Sequence, residues 1–152
     1  MDFTLTEEQA AVKDAFHRFA ATEVRPRARE LDVAGDFPRA LFQKVGELGL
    51  YAMRYPEPEG RGADVVSYVL ALEELAWGSL ALAAACTMQS LMGTYFLHRF
   101  APPEERARLL APALRGDTIG AICMTEPGAG SDLAAIATRA EARGGTWRLT
   151  GA

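Results

Sequence analysis

Cysteine and histidine are scarce in this sequence, which contains two of each among 152 residues. Cys86 and Cys123 cannot form a disulfide framework, and neither belongs to a CxxC motif or lies near a histidine at metal-binding spacing. We therefore expect two buried thiols in a reducing compartment and predict no metal site. His17 and His98 each stand without a nearby Ser, Cys or carboxylate constellation, which favours surface or core roles over catalysis.

Strong charge of either sign is also absent. The chain has 16 Lys and Arg against 20 Asp and Glu, a net charge of −4. Nucleic-acid binding requires clustered basic side chains, so that class of partner is excluded. A hydrophobic fraction of 49% with 24% charged residues is typical of a globular chain long enough for one core. The start lacks a charged segment followed by an apolar one, so nothing indicates secretion, and a cytoplasmic location is expected.

One long stretch, from Leu75 to Leu97, has no charged residue and is long enough to span a bilayer. Alanine dominates it, and Gly, Ser, Thr and Gln interrupt it, whereas a helix facing lipid is richer in Leu and Ile. The composition predicts a helix buried on all sides inside a helical bundle and no membrane span.

Helix signals fill the first three quarters of the chain. A capping box at Thr6 and Gln9 predicts a first helix from Thr6 to Val24, with Pro26 kinking it or separating a continuation through Leu31. A second predicted helix follows Asp36–Pro38 and has an apolar stripe at Leu41, Phe42, Val45 and Leu48. A third is capped by Asp64, has Val65, Val69, Leu72 and Leu75 on one side, and ends at Gly78. Another helix is predicted to begin at Ala101–Glu105 and to end at Arg115–Gly116.

The stretch Ile119–Ala135 organises the rest of the sequence. Ile119–Met124 predicts one short buried strand, and Thr125–Pro127 ends it because proline has no N–H for a ladder. The loop Gly128–Ser131 offers backbone N–H groups and a hydroxyl suited to an anion. The loop lacks the Lys of a P-loop and the three spaced glycines of a dinucleotide fingerprint. From spacing alone, a plain turn between two strands is the favoured interpretation.

Two β-rich segments close the chain. Thr138–Ala142 and Thr146–Leu149 are separated by Arg143–Gly145, a pattern that predicts a hairpin whose turn needs positive φ. A hairpin this small is marginal alone and must pair with something.

The segment from Cys123 to Ala135 resembles the signature of the acyl-CoA dehydrogenase family: a small residue, an aliphatic one, Thr or Ser, Glu, two free positions, a small residue, Gly, Ser or Thr, Asp, and a small residue. Other positions agree in order, including the opening Met1–Gln9, Gly49–Tyr51, Pro56–Glu57, Glu73–Ala76 and Gly116–Asp117. Gly60–Gly62 departs from the family pattern, which affects the backbone expected for that loop. The pair Pro102–Pro103 also departs from it, but the following helix can still begin there.

The resemblance implies a mainly α fold. Residues 1–116 would form the N-terminal helical domain, and residues 117–152 the first strands of a β-barrel-like middle domain that is truncated here. The implied activity is FAD-dependent α,β-dehydrogenation of an acyl-CoA thioester. Flavin-dependent acyl-CoA oxidases, monooxygenases and nitroalkane oxidases share the architecture and remain alternatives, as does a helical interaction module without a cofactor.

The same resemblance assigns site residues. Ile122, Met124 and Thr125 would flank the flavin ring, with Thr125 near its N5 edge. Gly130 and Ser131 would contact the pyrophosphate, and Ser131 would also touch CoA. Three residues on the uncharged helix would shape the end of the acyl tunnel, although plain core filling is an equal alternative for the last of them: Ala84, Ala85 and Met88.

The catalytic base is not among these residues. In the family it is a glutamate of the C-terminal helical domain, whereas Glu126 of the signature is structural. We therefore expect this stretch alone to be inactive, as a truncated part of a longer enzyme. The resemblance also implies electron-transfer flavoprotein as the electron acceptor and a homotetrameric assembly.

Overall fold

The computed structural model describes residues 3–151, and helix dominates them, as the mainly α prediction requires. The α-helices are, in chain order, α1 (Glu7–Phe19), α2 (Ala28–Ala34), α3 (Arg39–Glu47), α4 (Val65–Gly78), α5 (Leu80–Met88), α6 (Tyr95–Phe100) and α7 (Pro103–Leu114). Two π-helical segments, Ala20–Val24 and Gln89–Gly93, and three 3₁₀ segments, Arg25–Arg27, Leu50–Ala52 and Leu133–Ala135, accompany them. The strands are β1 (Arg139–Arg143) and β2 (Thr146–Thr150).

The chain divides into two compact units between Ala121 and Ile122. We call them the N-terminal unit and the C-terminal unit. The sequence analysis placed a domain boundary earlier, after Gly116. The intervening residues belong with the helices because Asp117 accepts a 3.2 Å hydrogen bond from Gln43, and further contacts described below hold the backbone up to Gly120.

The predicted starts of α1 and α4 are confirmed, and one side chain joins them. Thr6 and Gln9 form the capping box, each side chain meeting the backbone N–H of the other residue. Asp64 caps α4 by accepting from the N–H groups of Val66 and Ser67 at 2.9 and 3.1 Å. The Gln9 amide also donates to Asp64 at 3.2 Å, so the N-termini of both helices lie together.

The first helical run continues past Pro26, as expected. It passes through the π and 3₁₀ segments into α2, which ends at Ala34 instead of the predicted Leu31. Gly35 follows with φ of 69°, the left-handed conformation in which glycine ends helices without steric cost.

The buried face of α4 differs from the predicted stripe. Val65 and Val69 are 73% and 55% exposed, whereas Tyr68, Ala71 and Leu75 are buried. The prediction was wrong for the two valines because α4 is apolar around most of its circumference, so spacing alone did not select one face. The core of the N-terminal unit contains Phe16, Val24, Leu41, Phe42, Val45, Leu50, Tyr51, Leu75, Leu82, Cys86, Leu110 and Leu114.

The helical run Leu80–Phe100 is long and apolar enough to cross a membrane by length and composition, a test that core helices of soluble proteins also pass. The prediction of burial on all sides is wrong among the described residues, because Leu80 and Phe96 are 74% and 49% exposed. Its middle is nevertheless packed, since Gln89, Ser90 and Thr94 are almost fully buried and hydrogen-bonded within the N-terminal unit. These bonds support the helical-bundle interpretation.

Both histidines pair with carboxylates that are distant in sequence. His17 Nδ1 lies 2.7 Å from Glu74 Oε2, and His98 Nε2 lies 3.2 Å from Glu59 Oε2. The expectation that neither histidine has a carboxylate neighbour was therefore wrong. Folding brings these pairs together across 57 and 39 positions, which local sequence inspection does not reveal.

The predicted hairpin is confirmed in the C-terminal unit. β1 and β2 pair antiparallel around Gly144 and Gly145, whose φ values of 53° and 83° fit a two-residue turn. Pairing and alternation place four apolar side chains on one face of the hairpin: Ala140, Ala142, Trp147 and Leu149.

Candidate functional site

Residues 119–124 lead into the signature, and the strand predicted there is absent. The segment pairs with no other strand among residues 3–151, and Ile119 and Met124 are 40% and 39% exposed. A strand needs a neighbour to satisfy its N–H and C=O groups, and the described residues provide none here. Cys123 is exposed for the same reason, so the expectation of a second buried thiol was wrong, while Cys86 is buried as expected.

A tight turn follows at residues 126–129. Glu126 N–H donates to the carbonyl of Ala129 at 2.9 Å, and Ala129 N–H donates back to the carbonyl of Glu126 at 3.1 Å. Pro127 and Gly128 occupy the two central positions, where proline cannot continue a strand and glycine adds no side chain. The sequence thus turns sharply where the signature changes from apolar to small residues.

The Glu126 carboxylate fastens this turn to the backbone ahead of β1. Its two oxygens accept from the N–H groups of Ala137 and Thr138 at 2.8 and 2.9 Å. Hydrogen bonds from the Thr138 side chain and from the Ala137 backbone lower the pKa of the Glu126 carboxyl below its usual value. A carboxylate stabilised in its charged form by two amides is a weak base, which supports the structural role implied for Glu126.

The loop Gly128–Ser131 has the features of an anion cradle. Among residues 3–151, no acceptor is assigned to the N–H groups of Gly128, Gly130 or Ser131. A Cβ placed on Gly128 or Gly130 would meet no atom within 4 Å, so the space beside both residues is open. Ser131 is exposed, and Asp132 caps the following 3₁₀ segment by accepting from Ala134 N–H at 3.2 Å. Free amides, open space and a hydroxyl fit a phosphate-bearing ligand.

The residues assigned to the flavin ring precede this loop. Ile122 is half-buried, whereas Met124 and Thr125 are exposed. Their side chains are thus available to a ligand, and all three belong to the C-terminal unit together with Gly130 and Ser131.

The residues assigned to the acyl tunnel lie on α5, and the structure separates them. Ala84 and Met88 are exposed and one helical turn apart, so they share a face. Ala85 is half-buried and instead lines a cavity of about 300 Å³ together with Phe37 and Leu82. The described residues therefore bring two of the three predicted residues together.

The polar junction that follows α5 was not predicted from the sequence. Gln89 begins the π-helical segment, which Thr94 N–H closes with a 3.1 Å bond to the Gln89 carbonyl. The Gln89 side chain forms hydrogen bonds with the backbone of Ala113, Thr118 and Gly120. The available signal was a polar residue within an apolar run, where a buried glutamine needs hydrogen-bond partners.

Comparison with known proteins decides the family. The model of the acyl-CoA dehydrogenase N-terminal domain matches residues 6–117, most of the chain. The chain belongs to the acyl-CoA dehydrogenase family. This confirms the resemblance read from the signature, which lies just beyond the matched range.

Individual relatives agree with the family model. The chain is 53% identical to benzylmalonyl-CoA dehydrogenase of Aromatoleum aromaticum over 99% of its own length and 40% of the relative. A glutaryl-CoA dehydrogenase of Mycobacterium smegmatis in complex with FADH2 superimposes with a TM-score of 0.90 at 27% identity, covering 97% of this chain and 38% of the other. A structure described as the electron transferring flavoprotein of Acidaminococcus fermentans gives 0.90 at 36% identity, covering 99% and 40%. The chain spans about two fifths of the length of these proteins.

Proposed function

We propose that the protein containing this chain oxidises an acyl-CoA thioester at its α and β carbons with FAD as the cofactor. The observation that carries the proposal is the open loop Gly128–Ser131, whose unpaired N–H groups and hydroxyl suit the paired phosphates of a dinucleotide.

The described residues have distinct roles in this proposal. Gly130 and Ser131 bind the pyrophosphate, and Ser131 also contacts the CoA portion. Ile122 and Met124 provide apolar contact for the isoalloxazine, and Thr125 offers its N–H and hydroxyl to the N5 edge. When bound, FAD supplies the hydride acceptor that no side chain can supply. Donors at that edge favour reduction because they stabilise the electron density that builds there.

The residues of this chain do not supply the base. Glu126 is engaged by two backbone amides, and the complete enzyme requires another carboxylate to remove the α proton. The 152 residues alone are therefore inactive in this proposal.

An apolar acyl group suits the helix assigned to the tunnel. Ala84 and Ala85 are small, Met88 adapts its shape, and no charged residue occurs from Leu75 to Leu97. Since the relative with 53% identity is a benzylmalonyl-CoA dehydrogenase, an aryl-bearing acyl-CoA is the first substrate to test. Recognition of a second carboxylate on such a substrate would require a cationic group outside this helix.

The test is anaerobic titration of the full-length, FAD-loaded protein with a panel of thioesters: benzylmalonyl-CoA, glutaryl-CoA and butyryl-CoA. We expect bleaching of the flavin absorbance with at least one of them, and earliest with the aryl-bearing compound. Failure of all thioesters to bleach the flavin would contradict the dehydrogenase proposal and favour a monooxygenase. A colourless full-length protein that takes up no FAD would favour the helical interaction module.

Electron acceptor, assembly and location complete the proposal. Similarity to a structure described as an electron transferring flavoprotein supports such a protein as the acceptor. Rapid reoxidation of the bleached flavin by air would instead favour an acyl-CoA oxidase. We further propose a homotetramer in the cytoplasm, which light scattering of the purified protein and fractionation of its source cells would test.

A further inference from the structure

The junction between α5 and the signature segment contains one almost completely buried amide. Gln89 is 1% exposed, and its Nε2 donates to the carbonyls of Ala113 at 2.8 Å and Thr118 at 2.9 Å. Its Oε1 accepts from the N–H of Gly120 at 2.8 Å. Two carbonyls face the nitrogen and one N–H faces the oxygen, so the surroundings fix the orientation of the amide.

A close backbone crossing reinforces the same junction. A Cβ added to Gly93 would lie 2.8 Å from the Cα of Gly120, and a Cβ added to Gly120 would lie 2.5 Å from the Cα of Gly93. Only glycine at both positions allows the π-helical segment Gln89–Gly93 to contact the backbone this closely. The side chain of Gln89 and the two glycines thus act on one short stretch, residues 118–120.

This stretch ends two residues before Ile122, the first residue assigned to the flavin. The buried side chain that holds this stretch, Gln89, lies directly after Met88 in the sequence.

We propose that Gln89 is a positioning residue for the flavin-binding segment. It fixes the backbone at Thr118 and Gly120, and through chain continuity it sets where Ile122 to Thr125 begin. This inference rests on the proposed function, because it requires that the segment bind FAD.

The test compares full-length variants loaded with FAD. Gln89→Met has a similar shape and loses all three hydrogen bonds, whereas Gln89→Glu keeps the acceptor for Gly120 and loses the donor amide. Ser90→Ala is the matched control, because Ser90 is fully buried in the same π-helical turn but bonds to Tyr68 and the Thr87 carbonyl. All three changes remove buried hydrogen bonds, and only the Gln89 changes release residues 118–120.

We expect Gln89→Met to weaken FAD binding on the order of tenfold, the loss that follows from removing buried hydrogen bonds of this kind. It should also shift the midpoint potential of the flavin and lower kcat more than it changes KM. Gln89→Glu should weaken FAD binding at least as much as Gln89→Met, because its carboxylate would face the carbonyl oxygens of Ala113 and Thr118 in a buried site. Ser90→Ala should reduce thermal stability while leaving FAD affinity and the potential as in wild type.

The failures of the two proposals are distinguishable. If wild type binds FAD and is reduced by an acyl-CoA, but the Gln89 variants match Ser90→Ala in affinity and potential, the positioning role is wrong and the proposed function stands. If wild type neither binds FAD nor reacts with any thioester, both proposals are wrong. Should Gln89→Met not fold, Gln89→Asn, which keeps the amide on a side chain one methylene shorter, carries the same comparison with Ser90→Ala.

Discussion

His17 and Glu74 connect α1 to α4 through a 2.7 Å contact between Nδ1 and Oε2. Glu74 is only 7% exposed, and its other ionic partner, Lys13, lies at 3.6 Å. The His17 ring also packs at a tilt against Trp77 of α4, and the guanidinium of Arg25 lies 4.0 Å from the centre of the same indole ring. His17 therefore pairs with a nearly buried carboxylate and packs against an aromatic side chain of the same helix.

Replacing this histidine should destabilise the N-terminal unit. His17→Ala leaves Glu74 buried with one distant cation, and we expect a loss of about 1 kcal/mol in the free energy of unfolding, at the low end because the imidazole is half-exposed. Urea unfolding followed by circular dichroism measures it. Glu74→Gln combined with His17→Ala is the control, because it removes the unpaired charge and should recover part of the loss. An unchanged midpoint for His17→Ala would contradict this account.

A second prediction concerns Gly46 in α3. A Cβ at this position would lie 2.3 Å from the carbonyl oxygen of Arg115, so α3 passes directly against the chain that follows α7. Alanine is the better helix former by about 1 kcal/mol, yet Gly46→Ala should lower the melting temperature because the backbone must move. Glu47→Ala, an exposed change on the same helix, serves as the control and should have little effect. A higher melting temperature for Gly46→Ala would contradict the close contact between Gly46 and the carbonyl of Arg115.

A third prediction follows from the lowered pKa of Glu126. A carboxyl whose pKa is depressed in the folded chain stabilises it above the unfolded pKa, and this contribution disappears as the pH falls through the folded value. The turn should therefore keep its bonds to Ala137 and Thr138 at pH 5 and release them only below the ordinary Glu pKa of 4.5. Amide proton shifts of these two residues, followed by NMR during acid titration, report the release.

The matched control for that titration is Glu126→Gln. It retains one acceptor oxygen and has no charge to lose, so the two amide protons should no longer titrate. A transition at or above the ordinary Glu pKa in the unmodified chain would mean that the two amides do not stabilise the charged carboxylate.

The two cysteines should differ sharply in reactivity. Burial raises the pKa of the Cys86 thiol to about 12, although the hydrogen bond with Tyr51 opposes the shift. Cys123 is exposed. A thiol reagent at pH 8 should modify Cys123 in the folded 152-residue chain and reach Cys86 only after denaturation, because the thiolate is the reactive form. Cys123→Ser is the control and should abolish the native labelling. Equal rates for both thiols would contradict the buried position of Cys86.

Local signals predicted much of the fold. The capping box at Thr6, the cap at Asp64 and the glycine turn at 144–145 each depend on residues within a few positions, so the sequence contains the whole cause. The signature likewise led to the family because its pattern is dense and contiguous.

Long-range effects could not be predicted in the same way. The partners of His17 and Gln89 come from distant positions in the sequence. The exposed valines of α4 show that residue spacing does not identify the buried face of a helix that is apolar on most sides. The prediction of a strand at residues 119–124 was wrong for a different reason. The composition of the segment suits a strand, but a strand forms only where a neighbouring strand pairs with it. The site residues of the signature remain predictions that the FAD and thioester titrations test.

The π-helical turn at Gln89–Gly93 gives this helix one place that tolerates a change of length. Such a turn accommodates one residue more than an α-helical turn, so deleting a single residue there would restore ordinary winding. Side chains beyond it, including Tyr95 and Phe96, would keep nearly the same direction, because the wide turn had already absorbed the extra residue. Related chains should therefore gain or lose one residue at this turn more readily than in the α-helical turns on either side, where one residue rotates everything after it by roughly 100°.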